Sequence, residues 1–315
     1  MIDFDTHVCI VSNEPLPNLI PALSSPIGRN HIVLLESAAM KSKADILANF
    51  LTRKGRTVSR YPIDEKGNLA VFRDQIQKVL LEYPTAALNA TGGLKIMSII
   101  AHEVFHQAGR PVFYSERDNR IIWVNPIEET QILLPGILGI DDYFAAFGQS
   151  IARKNSAPLT DDGGDAMLAK LQKLPKPTAR DHDRIGERFE SLVFRATKKA
   201  LDLLNKTGHQ EIAWGVNTKS DISDEFDVIL VRNNKLFLIE CKNANNKADF
   251  NIFLNKLDNL RSKRGITARA ALITTATVAK DGGNAKRAHD NHILLLTYDD
   301  LPNIVGRIKD WLQSA

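Results

Sequence analysis

The spacing of apolar and polar positions changes character about halfway along the chain. In the first half, short apolar runs alternate with amphipathic stretches. Residues 8–12, 32–36, 57–63, 85–89 and 111–115 read as strands, the first three β-branched and bounded by turn residues. Helical periodicity fills the gaps over residues 15–24, 42–54, 69–82 and 94–108. This β-α alternation predicts a parallel sheet covered on both faces. Residues 120–125 follow a turn at 117–119 and read as an antiparallel edge strand.

The second half has another rhythm. A long helical pattern over 183–206 precedes three closely spaced strands at 211–216, 226–232 and 235–241. Asn233 and Asn234 supply a tight turn between the last two. A helix (249–264), a strand (269–274), a helix (284–291), a strand (292–296) and a closing helix (301–313) follow. This order predicts an α/β sheet with an antiparallel front and a parallel back. Between the halves, Pro158, Gly163, Gly164, Pro175 and Pro177 lie among charged residues, with one short helical pattern at 167–174. The expected organisation is a domain over 1–150, a linker over 151–178 and a domain over 179–315. No internal repeat is visible.

Composition adds limits. Hydrophobic residues make up 43% and charged residues 25% of the 315, an ordinary globular balance. No apolar run approaches the roughly 20 residues that span a bilayer, so no membrane partner is expected. The first residues carry Asp3 and Asp5 and no basic segment, unlike a secretory signal. Two cysteines, Cys9 and Cys241, fit a reducing cytoplasm without disulfides. The net charge of +4 resides entirely after residue 179, which accords with a nucleic-acid partner for the second half.

The chemistry concentrates in the hairpin Glu225-Phe226-Asp227 … Ile239-Glu240-Cys241-Lys242. Alternation along a strand puts Glu240 and Lys242 on one face and Cys241 on the other. The hairpin brings Asp227 beside them. Carboxylate oxygens suit Mg²⁺ or Mn²⁺, which activate water and offset charge on a phosphodiester. Lys242 is placed to orient or deprotonate that water, or to stabilise the phosphorus centre. The expected metal ligands are Asp227, Glu240 and the main-chain carbonyl of Cys241, whose thiol is expected in the core. The preceding helix carries Glu187 and Glu190, three apart and able to share a face. A basic helix follows, with Lys247, Lys256, Arg261, Lys263 and Arg264. Residues 183–297 resemble the PD-(D/E)xK nuclease superfamily. That resemblance makes Asp227, Glu240 and Lys242 catalytic and assigns Glu187 or Glu190 as the acidic residue of the first helix; the Pro that often precedes the first Asp is absent.

A second constellation lies in the first half. Ser12-Asn13-Glu14 ends the first strand, and Asn89-Ala90-Thr91-Gly92-Gly93-Leu94-Lys95 joins the fourth strand to a helix. Both loops fall at carboxyl ends of parallel strands, where open α/β sheets bind ligands. The glycine pair permits close approach, and the helix start and Lys95 favour an anion. The candidate ligand residues are Ser12, Asn13, Glu14, Thr91, Gly92, Gly93 and Lys95. The loop is neither a dinucleotide fingerprint nor a Walker A loop. His102 and His106, with Glu103, lie on a helical pattern without an evident third ligand and read as helix-surface or core-edge histidines. Trp123 and Trp214 read as packing residues.

Thr91-Gly92-Gly93-x-Lys95 in a Rossmann-like domain, joined to a PD-(D/E)xK domain, resembles the CARF nucleases of type III CRISPR systems, the Card/Can group. The resemblance implies an α/β fold with an N-terminal CARF domain and a C-terminal restriction-endonuclease-like domain. It also implies a homodimer, a cyclic oligoadenylate activator (cyclic tetra-adenylate by that likeness), and Mn²⁺- or Mg²⁺-dependent cleavage of DNA or RNA. Two other functions compete: a nucleotide-responsive DNA-binding regulator, and a constitutive restriction or repair nuclease.

Overall fold

The computed structural model describes residues 2–64, 68–127, 130–160, 163–168, 182–205, 208–219, 224–243, 250–279 and 282–314. The chain divides into two compact units. One comprises Met1–Ile137 with Ala145–Gly148, the other Leu138–Phe144 with Gln149–Ala315.

The first unit holds strands β1 (Thr6–Ile10), β2 (His31–Ser37), β3 (Thr57–Ile63), β4 (Ala86–Asn89), β5 (Val112–Ser115), β6 (Arg120–Asn125) and β7 (Ile132–Leu133). They form one sheet in the order β3-β2-β1-β4-β5-β6-β7. The first five are parallel; β6 and β7 add antiparallel. Helices α1 (Leu16–Leu23), α2 (Lys41–Arg53), α3 (Leu69–Glu82) and α4 (Lys95–Gln107) connect them. Phe72, Ile76, Ala101 and Val104 of α3 and α4 pack on Val8, Ile10 and Leu88 of the central strands. The central strands are buried almost throughout because both sheet faces are covered. Strand order reverses between β1 and β4, which opens a crevice at their carboxyl ends.

The second unit begins in α5 (Ile140–Ala146) and continues with β8 (Ile151–Asn155), α6 (Gly164–Leu168), α7 (His182–Asp202), β9 (Gln210–Thr218), β10 (Glu225–Arg232), β11 (Lys235–Lys242), α8 (Phe250–Ser262), β12 (Arg269–Thr274), α9 (Gly283–Asp290), β13 (Ile293–Leu296) and α10 (Ile304–Ser314). Its sheet has the order β13-β12-β11-β10-β9-β8. Strands β8 to β11 are antiparallel to their neighbours, and β11 to β13 are parallel. Asn233 and Asn234 both adopt positive φ, 51° and 59°, the turn that matches the twist of a two-residue hairpin. Phe189, Leu192 and Leu201 of α7 close over Val228, Ile239 and Cys241.

Two details differ from the sequence reading. The stretch expected as a linker opens with β8, an edge strand paired with β9. Its sequence, Ile-Ala-Arg-Lys-Asn, is charged as edge strands often are and carries no apolar period. The closing helix starts at Ile304, because residues 298–303 form a 3₁₀ turn capped reciprocally by Thr297 and Asp300. The short helix expected over 167–174 falls mostly outside the described residues. No helix among the described residues is long and apolar enough to cross a membrane.

Candidate functional site

The hairpin of β10 and β11 places the chemistry. Its register sets Val228 opposite Ile239, so Asp227 and Glu240 face each other one step further on and share a sheet face. Glu240 is 2% exposed and Asp227 5%. Lys242 Nζ lies 2.8 Å from Glu240 Oε1 and 3.6 Å from Asp227 Oδ2. Cys241 N–H donates to Asp227 Oδ2 at 2.6 Å. Its thiol, buried in the apolar cluster under α7, is pushed well above the usual thiol range by burial.

Too many acids share too little water here. Burial first, then the Glu240 charge, raises Asp227 to about 7. Burial first, then the Asp227 charge, raises Glu190 to about 8. Lys242 is pushed the other way: burial lowers it, but the Asp227 and Glu240 charges outweigh that and lift it above its ordinary value. Lys242 is thus held as a cation against both carboxylates. Among the described residues no three His, Cys, Asp or Glu side chains form a closed metal cage. The donor set still fits a hard dication. Mg²⁺ is held by one or two carboxylates with waters completing its shell, and a dication would relieve the repulsion that raises Asp227 and Glu190.

Of the two helix glutamates, Glu190 feels the charges of Asp227, Lys242 and Glu240. Glu187 is exposed. Lys247 lies outside the described residues. Arg264, expected on a basic surface, is 1% exposed: it pairs with Asp224 at 2.5 Å and lies over the Phe144 and Phe226 rings. Lys256, named above only as one of a basic run, reaches Glu240 from α8 at 3.0 Å. It borders the buried stripe of Phe250, Leu254 and Leu257, a helical-wheel position from which a side chain turns toward the sheet.

In the first unit the two predicted loops meet at the strand-order reversal. Ser12, Asn13, Glu14, Gly93 and Leu94 line a cavity of about 280 Å³ together with Met40 and neighbours. Gly92 packs so closely that a Cβ would collide with the Ile10 carbonyl oxygen; Gly93 has φ +81° and would meet the Ile10 side chain. The Thr91 hydroxyl donates to Asn89 Oδ1 at 2.6 Å and accepts from Ser115 N at 2.8 Å. It therefore shapes the loop from inside. Asn89 also donates to the Pro17 carbonyl at 2.8 Å, and Asn18 to that of Ile10 at 2.8 Å. These two asparagines fix both loops; the sequence reading quotes Asn89 only as the start of the second loop and does not name Asn18, which lies in α1. For Asn89, an Asn at a buried strand end is the signal. Lys95 is exposed at the start of α4, whose first turn has no side-chain cap, leaving N–H groups free for an anion.

Residues 6–143 match the family model described as the Card1 CARF domain. Residues 181–315 match the Card1-like endonuclease domain. The chain joins a Card1 CARF domain to a Card1-like endonuclease domain. Solved structures share the fold along nearly the whole chain. Can2 from Sulfobacillus thermosulfidooxidans, in complex with cyclic tetra-adenylate, is 21% identical with a TM-score of 0.79, covering 98% of this chain and 97% of that one. Protein VC1899 from Vibrio cholerae is 19% identical with a TM-score of 0.78, covering 98% of both. A type III CRISPR defence DNA nuclease activated by cyclic oligoadenylate is 15% identical with a TM-score of 0.69; 97% of this chain spans 52% of it. No curated protein matches.

The α4 histidines do not line the crevice cavity and are remote in sequence from the carboxylate–lysine cluster. His102-Glu103-x-x-His106 has the spacing of a zinc peptidase helix, but Glu103 is paired with Arg73 at 2.6 Å and His106 bonds Asn125 at 3.1 Å. The two rings stack 5.8 Å apart, and among the described residues no third ligand joins them. Trp123 and Trp214 are buried packing residues, as expected.

Proposed function

We propose that this chain is a divalent-metal-dependent nuclease of type III CRISPR defence, switched on by a cyclic oligoadenylate bound at its CARF domain. The observation that carries the reading is the convergence of Asp227, Glu240 and Lys242 within 3.6 Å in a domain matched to an endonuclease family. Asp227 and Glu240, with Glu190 beside them, would hold Mg²⁺ or Mn²⁺, which supplies activated water and Lewis acidity toward a phosphodiester. Lys242, fixed as a cation, faces the charge that develops on the phosphoryl oxygens. Asp227 is held in place by the Cys241 N–H, so the acid group needs no reorganisation when substrate arrives.

The uncapped start of α4, Lys95 and the Ser12–Asn13 loop form the anion-receiving side of the CARF crevice. Cyclic tetra-adenylate, the ligand in the Can2 structure, is the activator we assign. A ring with two-fold symmetry suits an isologous homodimer, and exposed Leu94, Ile96 and Ile99 along α4 provide apolar surface for one. The substrate is DNA or RNA.

The test is cleavage of labelled single-stranded DNA, RNA and supercoiled plasmid in Mn²⁺, with and without a panel of cyclic oligoadenylates. Cleavage that needs both metal and one ring size is the expected outcome. Binding without cleavage would reassign the chain as a regulator, and ring-independent cleavage as a constitutive nuclease. Light scattering at micromolar concentration checks the dimer.

A further inference from the structure

We infer that Lys256 is a second basic residue of the cleavage site, holding the Glu240 carboxylate in place and presenting its exposed side to a substrate phosphate. The inference rests on the nuclease reading above and deepens it. Lys256 lies outside the Glu240-Cys241-Lys242 motif, 14 residues further on and on a different element. Its Nζ donates to both oxygens of Glu240, at 3.0 and 3.1 Å. An ammonium has three donors, so at least one remains. The head group is also asymmetrically placed: the Lys256 side chain is 40% exposed, whereas that of Glu240 is 2%. One side of the cation meets a buried acid and the other meets open solvent.

The rest of α8 supports the assignment. Phe253, one turn before Lys256 on the same helix face, lies under Lys242 with Nζ 5.1 Å from the ring centroid. One helix thus braces both the motif lysine and the motif glutamate. Glu240 Oε1 is shared between the two lysines, so two cations flank one acid. Lys242 also serves Asp227, at 3.6 Å, whereas Lys256 pairs with Glu240 alone among the described residues and keeps an exposed face for a substrate phosphate, to which a lysine is suited as a compact, mobile point charge. Lys256 acts partly through Glu240, so its contribution divides between positioning and direct phosphate attraction.

The experiment uses the full chain with Lys256→Met and Lys256→Arg. Affinity for a single-stranded oligonucleotide is measured in Ca²⁺ over a salt series, and cleavage is measured in Mn²⁺ with activator. Each lost phosphate contact lowers the slope of log K against log[salt] by roughly 0.7–0.9. The Met variant is expected to lose about one contact in slope and roughly ten-fold or more in kcat/KM; Arg, which keeps the charge, should restore the slope. An unchanged slope in the Met variant overturns the inference, even if its melting temperature moves, since a structural ion pair alters stability without altering counterion release. If the parent cleaves and Lys256→Met matches it in slope and rate, this inference fails while the nuclease reading stands. If the parent neither binds nor cleaves nucleic acid under any activator, both fall.

Discussion

Cys241 N–H donates to Asp227 Oδ2 at 2.6 Å, so the main chain of one hairpin strand fixes the acid of the other. The bond lowers the Asp227 pKa, yet burial and Glu240 prevail and hold it near 7. A carboxyl raised on folding favours the folded state below its unfolded value near 4, and that contribution is lost as pH rises through about 7. Asp227→Asn can keep the hydrogen bond and removes the buried charge. Without metal, the variant should melt higher than the parent at pH 8, by about 2–4 °C for each kcal/mol gained, and the difference should shrink toward pH 5. It should also be inactive. A parent more stable than the Asn variant at pH 8 would contradict the charge balance.

Metal and protons compete for the same oxygens. With Asp227 near 7 and Glu190 near 8, cleavage at limiting Mn²⁺ should climb between about pH 6 and 8. Raising Mn²⁺ should shift the rise to lower pH, because a bound cation favours the ionised acids. A pH profile indifferent to metal concentration would argue against carboxylate ligands.

Glu190 and Glu187 separate by mutation. Glu190→Gln should cost roughly a hundred-fold in rate, on the scale of losing a group at or next to a metal; Glu187→Gln should stay within about two-fold. Single-turnover rates at saturating metal decide between them, and equal losses would place both at the site.

The core hairpin was legible because alternation, a turn of two asparagines and an acid-acid-lysine set coincide in 18 residues, Glu225 to Lys242. Helix periodicity, by contrast, cannot choose between Glu187 and Glu190: the choice depends on where the sheet lies. Lys256 and Arg264 looked alike as helix cations. One meets Glu240 and the other is buried between Phe144 and Phe226, contacts made across elements far apart in sequence. Strand β8 was illegible because a charged edge strand has no apolar period.

In the CARF crevice, Lys95→Ala should weaken activator binding roughly ten-fold or more, the scale of one charge-assisted bond; Lys95→Glu should weaken it further. Saturating ligand should restore the alanine variant's rate, since the catalytic residues are untouched. Gly92→Ala should fail differently. Its methyl collides with the Ile10 carbonyl, which is main chain and cannot swing aside, so loop shape is lost and excess ligand does not rescue it. Calorimetry paired with cleavage rates on the same preparations checks both.

The membership of Leu138–Phe144 in the nuclease unit bears on how the protein can be dissected. Leu138 N–H bonds Asn234, the Tyr143 hydroxyl bonds the Arg264 carbonyl, and Phe144 stacks edge-on against Phe226. A fragment begun at residue 179 would discard these anchors and β8 as well, baring β9 as a nine-residue open edge, a template for sheet-to-sheet association. Its insolubility would say nothing about whether the catalytic half folds alone. A fragment begun ahead of Leu138 keeps the anchors and the capping strand, and is the shortest whose behaviour would be interpretable.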